Sequence, residues 1–287
     1  MDRRKFRRSK RVTPVKAIIA GFILILAAAA AYAVYTHFHE PEPEYFEYKG
    51  SLITVLEGVA KNEYAAEAFY TDGGFTRYNS ADARCGVDVS VYQGEIDWQA
   101  VADAGVDFAM IRVGFRGYVD GEIYQDANFT ANIDGALAAG LDVGVYFFSQ
   151  AVTAGEAVKE AEFTISALEG YTLACPVVFD WETISEYEAR TDGYSHTATE
   201  CAAAFCEAVK AADYDPAVYF NVPTGYLIYD LSALCGYRFW LAQYDPYPDF
   251  YYNFGIWQYS NTGSVPGIET AVDLDVSFYD YTAPAED

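Results

Sequence analysis

Histidine and cysteine are scarce in this chain: three histidines (His37, His39 and His196) and five cysteines (Cys85, Cys175, Cys201, Cys206 and Cys235) in 287 residues. No CxxC pair and no His/Cys spacing of the zinc-binding type occurs, so no metal site is expected. The odd cysteine count leaves at least one thiol unpaired within the chain, with room for one disulfide whose partners the sequence does not name. Basic side chains are scarce too. Eighteen Lys and Arg stand against 42 Asp and Glu, and eight of the eighteen fall between Arg3 and Lys16. The remainder carries 10 basic against 41 acidic residues, a net of −31. That balance excludes nucleic acid as a partner, because phosphate binding needs a basic surface. Gly-rich phosphate loops of the P-loop or dinucleotide type are absent, no cofactor motif is present, and nothing marks an obligate protein partner.

Apolar residues and aromatics, by contrast, are plentiful. A hydrophobic share of 52% against 21% charged excludes wholesale disorder. Twenty-six Tyr and nineteen Phe exceed what a core requires and suit an extracellular surface or a carbohydrate groove.

Residues 17–35, AIIAGFILILAAAAAYAVY, carry no charge. As a helix these nineteen residues would span about 28 Å, close to a hydrocarbon core. The basic segment 1–16 before them and Glu40 after them place the N-terminus in the cytoplasm and the bulk outside. The expectation is a single-pass membrane anchor with an extracellular catalytic domain. The alternative is secretion after cleavage at the small-x-small site Ala31-Tyr32-Ala33.

Residues 36–84 read as a stalk and spacer that pack against the main domain. Glu40-Pro41-Glu42-Pro43-Glu44 is expected to be extended. Leu52, Val55, Leu56 and Val59 recur at helical spacing and predict one short helix. Alternation from Phe69 to Tyr78 around Asp72-Gly73-Gly74 predicts a hairpin. Residues 85–281 are regular. Strands are predicted at 86–90, 108–115, 143–149, 177–181 and 217–220, with helices at 98–104, 128–139, 155–168 and 197–211 between them. Gly105 and Gly140 read as C-terminal caps of two of these helices. After residue 221 come closer-spaced runs at 239–243, 255–260 and 272–278, and a tail at 282–287. The fold class is α/β: an irregular TIM-like barrel of about five β/α units finished by plain strands.

In such a barrel chemistry sits at the C-terminal ends of the strands. Those ends carry Asp88 on the first strand, Asp180 and Glu182 on the fourth, and Asp273 and Asp275 on the last. Asp180 and Glu182 are two apart, hence on one face. Repulsion and partial desolvation would keep one of such a pair protonated, as a general acid requires. The cluster could hold a divalent cation or run glycoside hydrolysis. Tyr146, Phe148, Tyr219, Asn221, Trp240, Tyr244, Trp257 and Gln258 lie near the strand ends, and aromatic faces with amides suit sugar rings better than phosphates.

Cys85 to about Phe278 resembles the glycoside hydrolase family 25 lysozymes, the Chalaropsis-type muramidases. The matching blocks begin with Gly86-Val-Asp-Val-Ser-Val-Tyr-Gln-Gly94, Ile96-Asp97-Trp98 and Phe108-Ala-Met-Ile-Arg-Val-Gly114. Next come Gly144-Val-Tyr-Phe-Phe-Ser149 and Pro176-Val-Val-Phe-Asp-Trp-Glu182. The last blocks are Trp240-Leu-Ala-Gln-Tyr244, Ile256-Trp-Gln-Tyr259 and Val272-Asp-Leu-Asp275. The resemblance implies hydrolysis of the β-1,4 bond from N-acetylmuramic acid to N-acetylglucosamine, with peptidoglycan glycan strands as the partner. It implies Glu182 as general acid/base, Asp180 assisting through the substrate acetamido group, and Asp88 and Asp273 as the groove's further acids. A non-catalytic peptidoglycan-binding module with an inherited groove is the competing expectation. A metal-dependent hydrolase is a third.

Overall fold

The computed structural model describes residues 14–38, 43–184 and 188–279. Most of the basic segment, part of the acidic stalk and the tail at 282–287 lie outside the described residues. The chain divides into two compact units, Met1–Val55 and Leu56–Asp287.

The first unit contains one long helix, α1 (Pro14–Phe38), and a hairpin of β1 (Tyr45–Tyr48) and β2 (Ser51–Thr54). Described apolar side chains of α1, Ile18 to Leu26 among them, are exposed. Taken over its described side chains alone, unbroken only through residues 21–32, no helix is long and apolar enough to cross a membrane. The hairpin corrects the helix expected around Leu52–Val59. Lys49 and Gly50 both adopt positive φ (48° and 78°), the geometry of a tight two-residue hairpin turn. Gly58, at φ 80°, breaks any helix beyond it.

The second unit opens with the expected hairpin, β3 (Phe69–Asp72) and β4 (Phe75–Tyr78). Then come β5 (Arg84–Val89), α2 (Trp98–Asp103), β6 (Phe108–Arg116), β7 (Ile123–Gln125) and α3 (Phe129–Ala138). They are followed by β8 (Asp142–Ser149), α4 (Ala154–Ala167), β9 (Val177–Trp181), α5 (Ala198–Ala211) and β10 (Pro216–Asn221). The chain finishes with α6 (Val222–Leu227), α7 (Leu231–Leu234), β11 (Arg238–Ala242), β12 (Ile256–Gly263) and β13 (Val272–Ser277). Strands β5, β6, β8, β9, β10, β11 and β12 run parallel in that order. Antiparallel β13 joins β12 back to β5, so eight strands close into a barrel.

The barrel strands are buried on both faces, which is why they read as unbroken apolar runs. Gly105 and Gly140 follow α2 and α3 at φ 92° and 82°, as helix-ending glycines do. Inside the barrel, Phe108, Met110, Tyr146, Val178, Ala217, Tyr219, Trp240 and Ile256 form one cluster. Gly86 makes room for it: a Cβ there would lie 2.2 Å from the Phe108 ring. Strands β12 and β13 have no crossover helices to cover their outer face. Residues 61–84 cover it instead, with Phe69 edge-on to Trp257 at 5.2 Å and Tyr64 stacked on Phe278 at 3.9 Å. No disulfide forms among the described residues; Cys85, Cys201 and Cys206 are buried thiols and Cys235 an exposed one.

Candidate active site

Register brings the acidic residues together. Asp273 of β13 sits directly opposite Asp88 of β5. Asp180 of β9 lies beside Phe148 of β8 and Tyr219 of β10. Side chains alternate along a strand, so these residues share the face turned to the barrel's interior. They open into a cavity of about 270 Å³ whose lining includes Asp88, Asp180, Glu182 and Asp273 with Tyr146, Phe148, Tyr219, Trp240, Tyr244 and Gln258. A larger depression of about 730 Å³ adjoins it at Gln93 but contains none of these four carboxylates.

Gln258 is fixed by three hydrogen bonds. Tyr219 and Tyr244 hydroxyls donate to its Oε1 at 3.0 and 2.8 Å, and its Nε2 donates to Asp88 Oδ2 at 2.7 Å. This assigns the amide orientation and aims Asp88. Trp240 forms the floor, edge-on to Tyr219 at 4.9 Å, and its indole N–H donates to Asp275 Oδ1 at 2.8 Å. Asp275 is wholly buried, and its Oδ2 has no hydrogen-bond partner.

Burial dominates the electrostatics. It pushes the Glu182 carboxyl up to about 7, with the Asp273 charge adding to the effect. Burial also raises Asp273, to about 6. Asp88 is held well above the usual carboxylate range by burial and then by Asp273 and Asp275, while the hydrogen bond from Gln258 pulls the other way. Burial and the neighbouring Glu182 raise Asp180, against which Arg112 alone acts to lower it. One Asp180 oxygen, Oδ1, is buried and has no hydrogen-bond partner.

Arg112 is the only cation among the residues lining this cavity, and the sequence reading passed over it. Its Nε donates to Asp126 Oδ2 at 2.7 Å, and the same oxygen accepts from the Val91 backbone N–H. Asp126 thus ties the cation to the loop after β5. The signal was available: Arg112 interrupts the apolar run Phe-Ala-Met-Ile-Arg-Val. Beyond β9, Arg190 brings the chain back by a bidentate pair with Glu156 at 2.7 and 2.9 Å.

Two residues expected to bind substrate lie elsewhere. Trp257 is fully buried on the opposite face of β12, under Phe69, and its indole N–H donates to the Gln243 carbonyl at 2.7 Å. Asn221 is half-buried and caps α6, its side-chain oxygen accepting from the Thr224 N–H at 3.0 Å.

The model for the family described as "Glycosyl hydrolases family 25" matches residues 87–268. The chain belongs to glycosyl hydrolase family 25. Two curated relatives match this family 25 chain over 66% of its length. They are "Autolytic lysozyme" of Clostridium acetobutylicum, 28% identical over 193 residues, and "Lysozyme M1" of Streptomyces globisporus, 29% identical over 205. The matches span 54% and 65% of those two proteins. Among solved structures, a family 25 glycosyl hydrolase from Bacillus anthracis superposes with TM-score 0.58 at 24% identity, over 71% of this chain and 93% of that one. At that identity the likeness speaks to the fold, an eight-stranded barrel with flanking helices.

Proposed function

We propose that this family 25 chain is an exported muramidase that hydrolyses the β-1,4 bond from N-acetylmuramic acid to N-acetylglucosamine in peptidoglycan. The observation that carries the reading is the convergence of Asp88, Asp180, Glu182 and Asp273 in one aromatic groove, with Glu182 holding its proton up to about pH 7. A carboxyl protonated at neutral pH can donate to the glycosidic oxygen as the bond breaks. The acetamido oxygen of the same sugar attacks the anomeric carbon and forms a cyclic intermediate. Asp180 accepts the acetamido N–H, and that hydrogen bond favours its ionised form, leaving the shared proton on Glu182. In the second step the Glu182 carboxylate takes a proton from water as the water oxygen bonds to the anomeric carbon, and the bond from that carbon to the acetamido oxygen breaks to restore the acetamido group. Asp273 serves by charge, making the Glu182 proton harder to lose.

The membrane reading is part of the proposal. Its support is the uncharged stretch 17–35, which lies within the 25-residue helix α1, and the basic cluster that precedes it. An anchor would hold a strongly acidic enzyme near an anionic wall that long-range attraction cannot bring it to.

Mass spectrometry of fragments released from purified peptidoglycan by the full-length protein tests the activity. Muramic acid at the new reducing ends, lost in Glu182→Gln, is the expected result. Glucosamine at those ends would place the cut at the other bond. Unbroken glycan would favour a binding module.

A further inference from the structure

β6 runs past the barrel rim and folds back. Its residues Gly114, Phe115 and Arg116 pair antiparallel with Gln125, Tyr124 and Ile123 of β7. Gly114 permits the approach: a Cβ there would lie 2.4 Å from the Tyr124 carbonyl oxygen. The hairpin is held from below by Arg116. Its Nε donates to buried Glu160 at 2.6 Å, and its other nitrogens donate to the carbonyls of Gly121 (2.5 Å) and Glu156 (3.0 Å). A charged clamp of this kind makes a rigid platform of a segment that would otherwise be a loop.

The hairpin bears an open surface depression of about 360 Å³, lined by Phe115, Gly117, Tyr118, Val119, Asp120 and Tyr124. Phe115 and Tyr124 stack at 5.5 Å with their planes 29° apart. The Tyr124 hydroxyl donates to Asp120 Oδ2 at 2.8 Å, which sets the ring's attitude. Yet Tyr124 is 44% exposed and Val119 85% exposed, so this apolar surface faces solvent. Two contacts join it to the groove. Tyr118 meets Phe148, a groove wall, edge-on at 6.1 Å. The Arg112 guanidinium lies 5.4 Å from the Phe115 ring and 5.2 Å from that of Tyr92, which also lines the groove.

We propose that the β6–β7 hairpin is an outlying sugar subsite, binding an N-acetylhexosamine of the same glycan strand whose scissile bond lies in the groove. The inference rests on the muramidase reading for the identity of the strand. The site is an open depression with Tyr124 and Val119 exposed, suited to take one face of a ring and leave the other to solvent. Open aromatic faces suit the apolar face of a pyranose ring. Asp120 is the one charged residue among the described lining, which makes a phosphate or carboxylate a poor occupant and offers an acceptor to sugar hydroxyls.

Steady-state cleavage of peptide-free glycan strands, sorted by length, tests this with the full-length protein. In Tyr124→Ala the kcat/KM preference for long over short strands falls about tenfold, mostly through KM, while Tyr124→Phe keeps the preference. An unchanged preference in Tyr124→Ala overturns the proposal, whether both rates hold or fall together. So does a loss seen only with peptide-bearing strands, which would make the stem peptide the occupant. If the wild type cleaves nothing, the muramidase reading has failed instead. Titration of long peptide-free strands then decides the subsite separately: weaker binding by Tyr124→Ala supports it and equal binding overturns it.

Discussion

Replacing Glu182 with Gln should stabilise the protein, and only above a definite pH. Burial and the Asp273 charge raise the Glu182 carboxyl from 4.5 to about 7. That is a displacement of about 2.5 pH units, and at about 1.4 kcal/mol each it amounts to about 3 kcal/mol. The figure is an upper bound, because Glu182 is only half-buried at the groove mouth and its neighbours relax when it ionises. A folded-state value above the unfolded one gives stability that is complete below about pH 4, where both states hold the proton. It is lost as the pH climbs through 4.5 to about 7, since the unfolded chain releases its proton first. The glutamine amide of the variant has no proton to lose and escapes this penalty. For a domain of this size 1 kcal/mol shifts the melting temperature by about 2–4 °C, so Glu182→Gln should melt up to roughly 6–12 °C higher at pH 8. At pH 4 the two proteins should melt together. Glu160, also raised to about 7, titrates in both and cancels in the difference. Calorimetry of both proteins from pH 4 to 8, with cleavage assayed in parallel, reads the effect. A difference that does not vary with pH, or a variant less stable at pH 8, would refute the account of Glu182.

Cleavage should fall as the pH rises through about 7, because Glu182 must carry a proton to act as acid; a kcat/KM profile flat to pH 9 would exclude it from that role. Trp257→Leu should cost about 3 kcal/mol in a urea melt while leaving KM unchanged, since Trp257 lies under Phe69 and not in the groove. Arg112→Met should cost roughly 3–5 kcal/mol by stripping Asp126 of its cation, and should slow cleavage in the folded fraction; Arg112→Lys should recover part of both. Without residues 1–35 the enzyme should digest whole walls more slowly but cleave short soluble fragments at the same rate; equal wall digestion would count against a tether.

Much of the barrel was legible because its strands are buried on both faces. Runs such as 108–115 and 177–181 have no polar side to confuse the reading, and closing glycines such as Gly105 and Gly140 bound the helices between them. The errors have physical sources. Trp257 and Gln258 were both expected in the groove, yet adjacent strand residues face opposite ways, so one of the two had to leave it. Asn221 precedes Val222-Pro223, a helix-opening signal, and its side chain is spent on the cap. The short helix expected at Leu52–Val59 matched an apolar spacing, but Lys49-Gly50 sets a hairpin turn that claims residues 51–54 for a strand. β7 was invisible: three residues give no periodicity, and the strand exists only because Gly114 admits it.

The groove's acidity and its aromatic walls are two sides of one device. Four carboxylates crowded at a strand end would ordinarily be relieved by water. Here Tyr146, Phe148, Tyr219, Trp240 and Tyr244 line the same cavity and bury them, and the donors are few: Gln258 donates to Asp88, while Asp180 Oδ1 is buried without a hydrogen-bond partner. The surfaces suited to stack against a sugar ring are therefore the surfaces that hold the Glu182 proton in place. A glycan entering the groove would remove more water and raise Glu182 further, so the acid would be strongest in its tendency to stay protonated when substrate is bound. Arg112 sets the limit on this. As the one cation among the described lining residues it acts to lower Asp180, yet burial and the neighbouring Glu182 still hold Asp180 well above the usual carboxylate range. In the proposed reaction an ionised Asp180 beside a protonated Glu182 therefore needs a further donor, which the acetamido N–H of a bound sugar would supply.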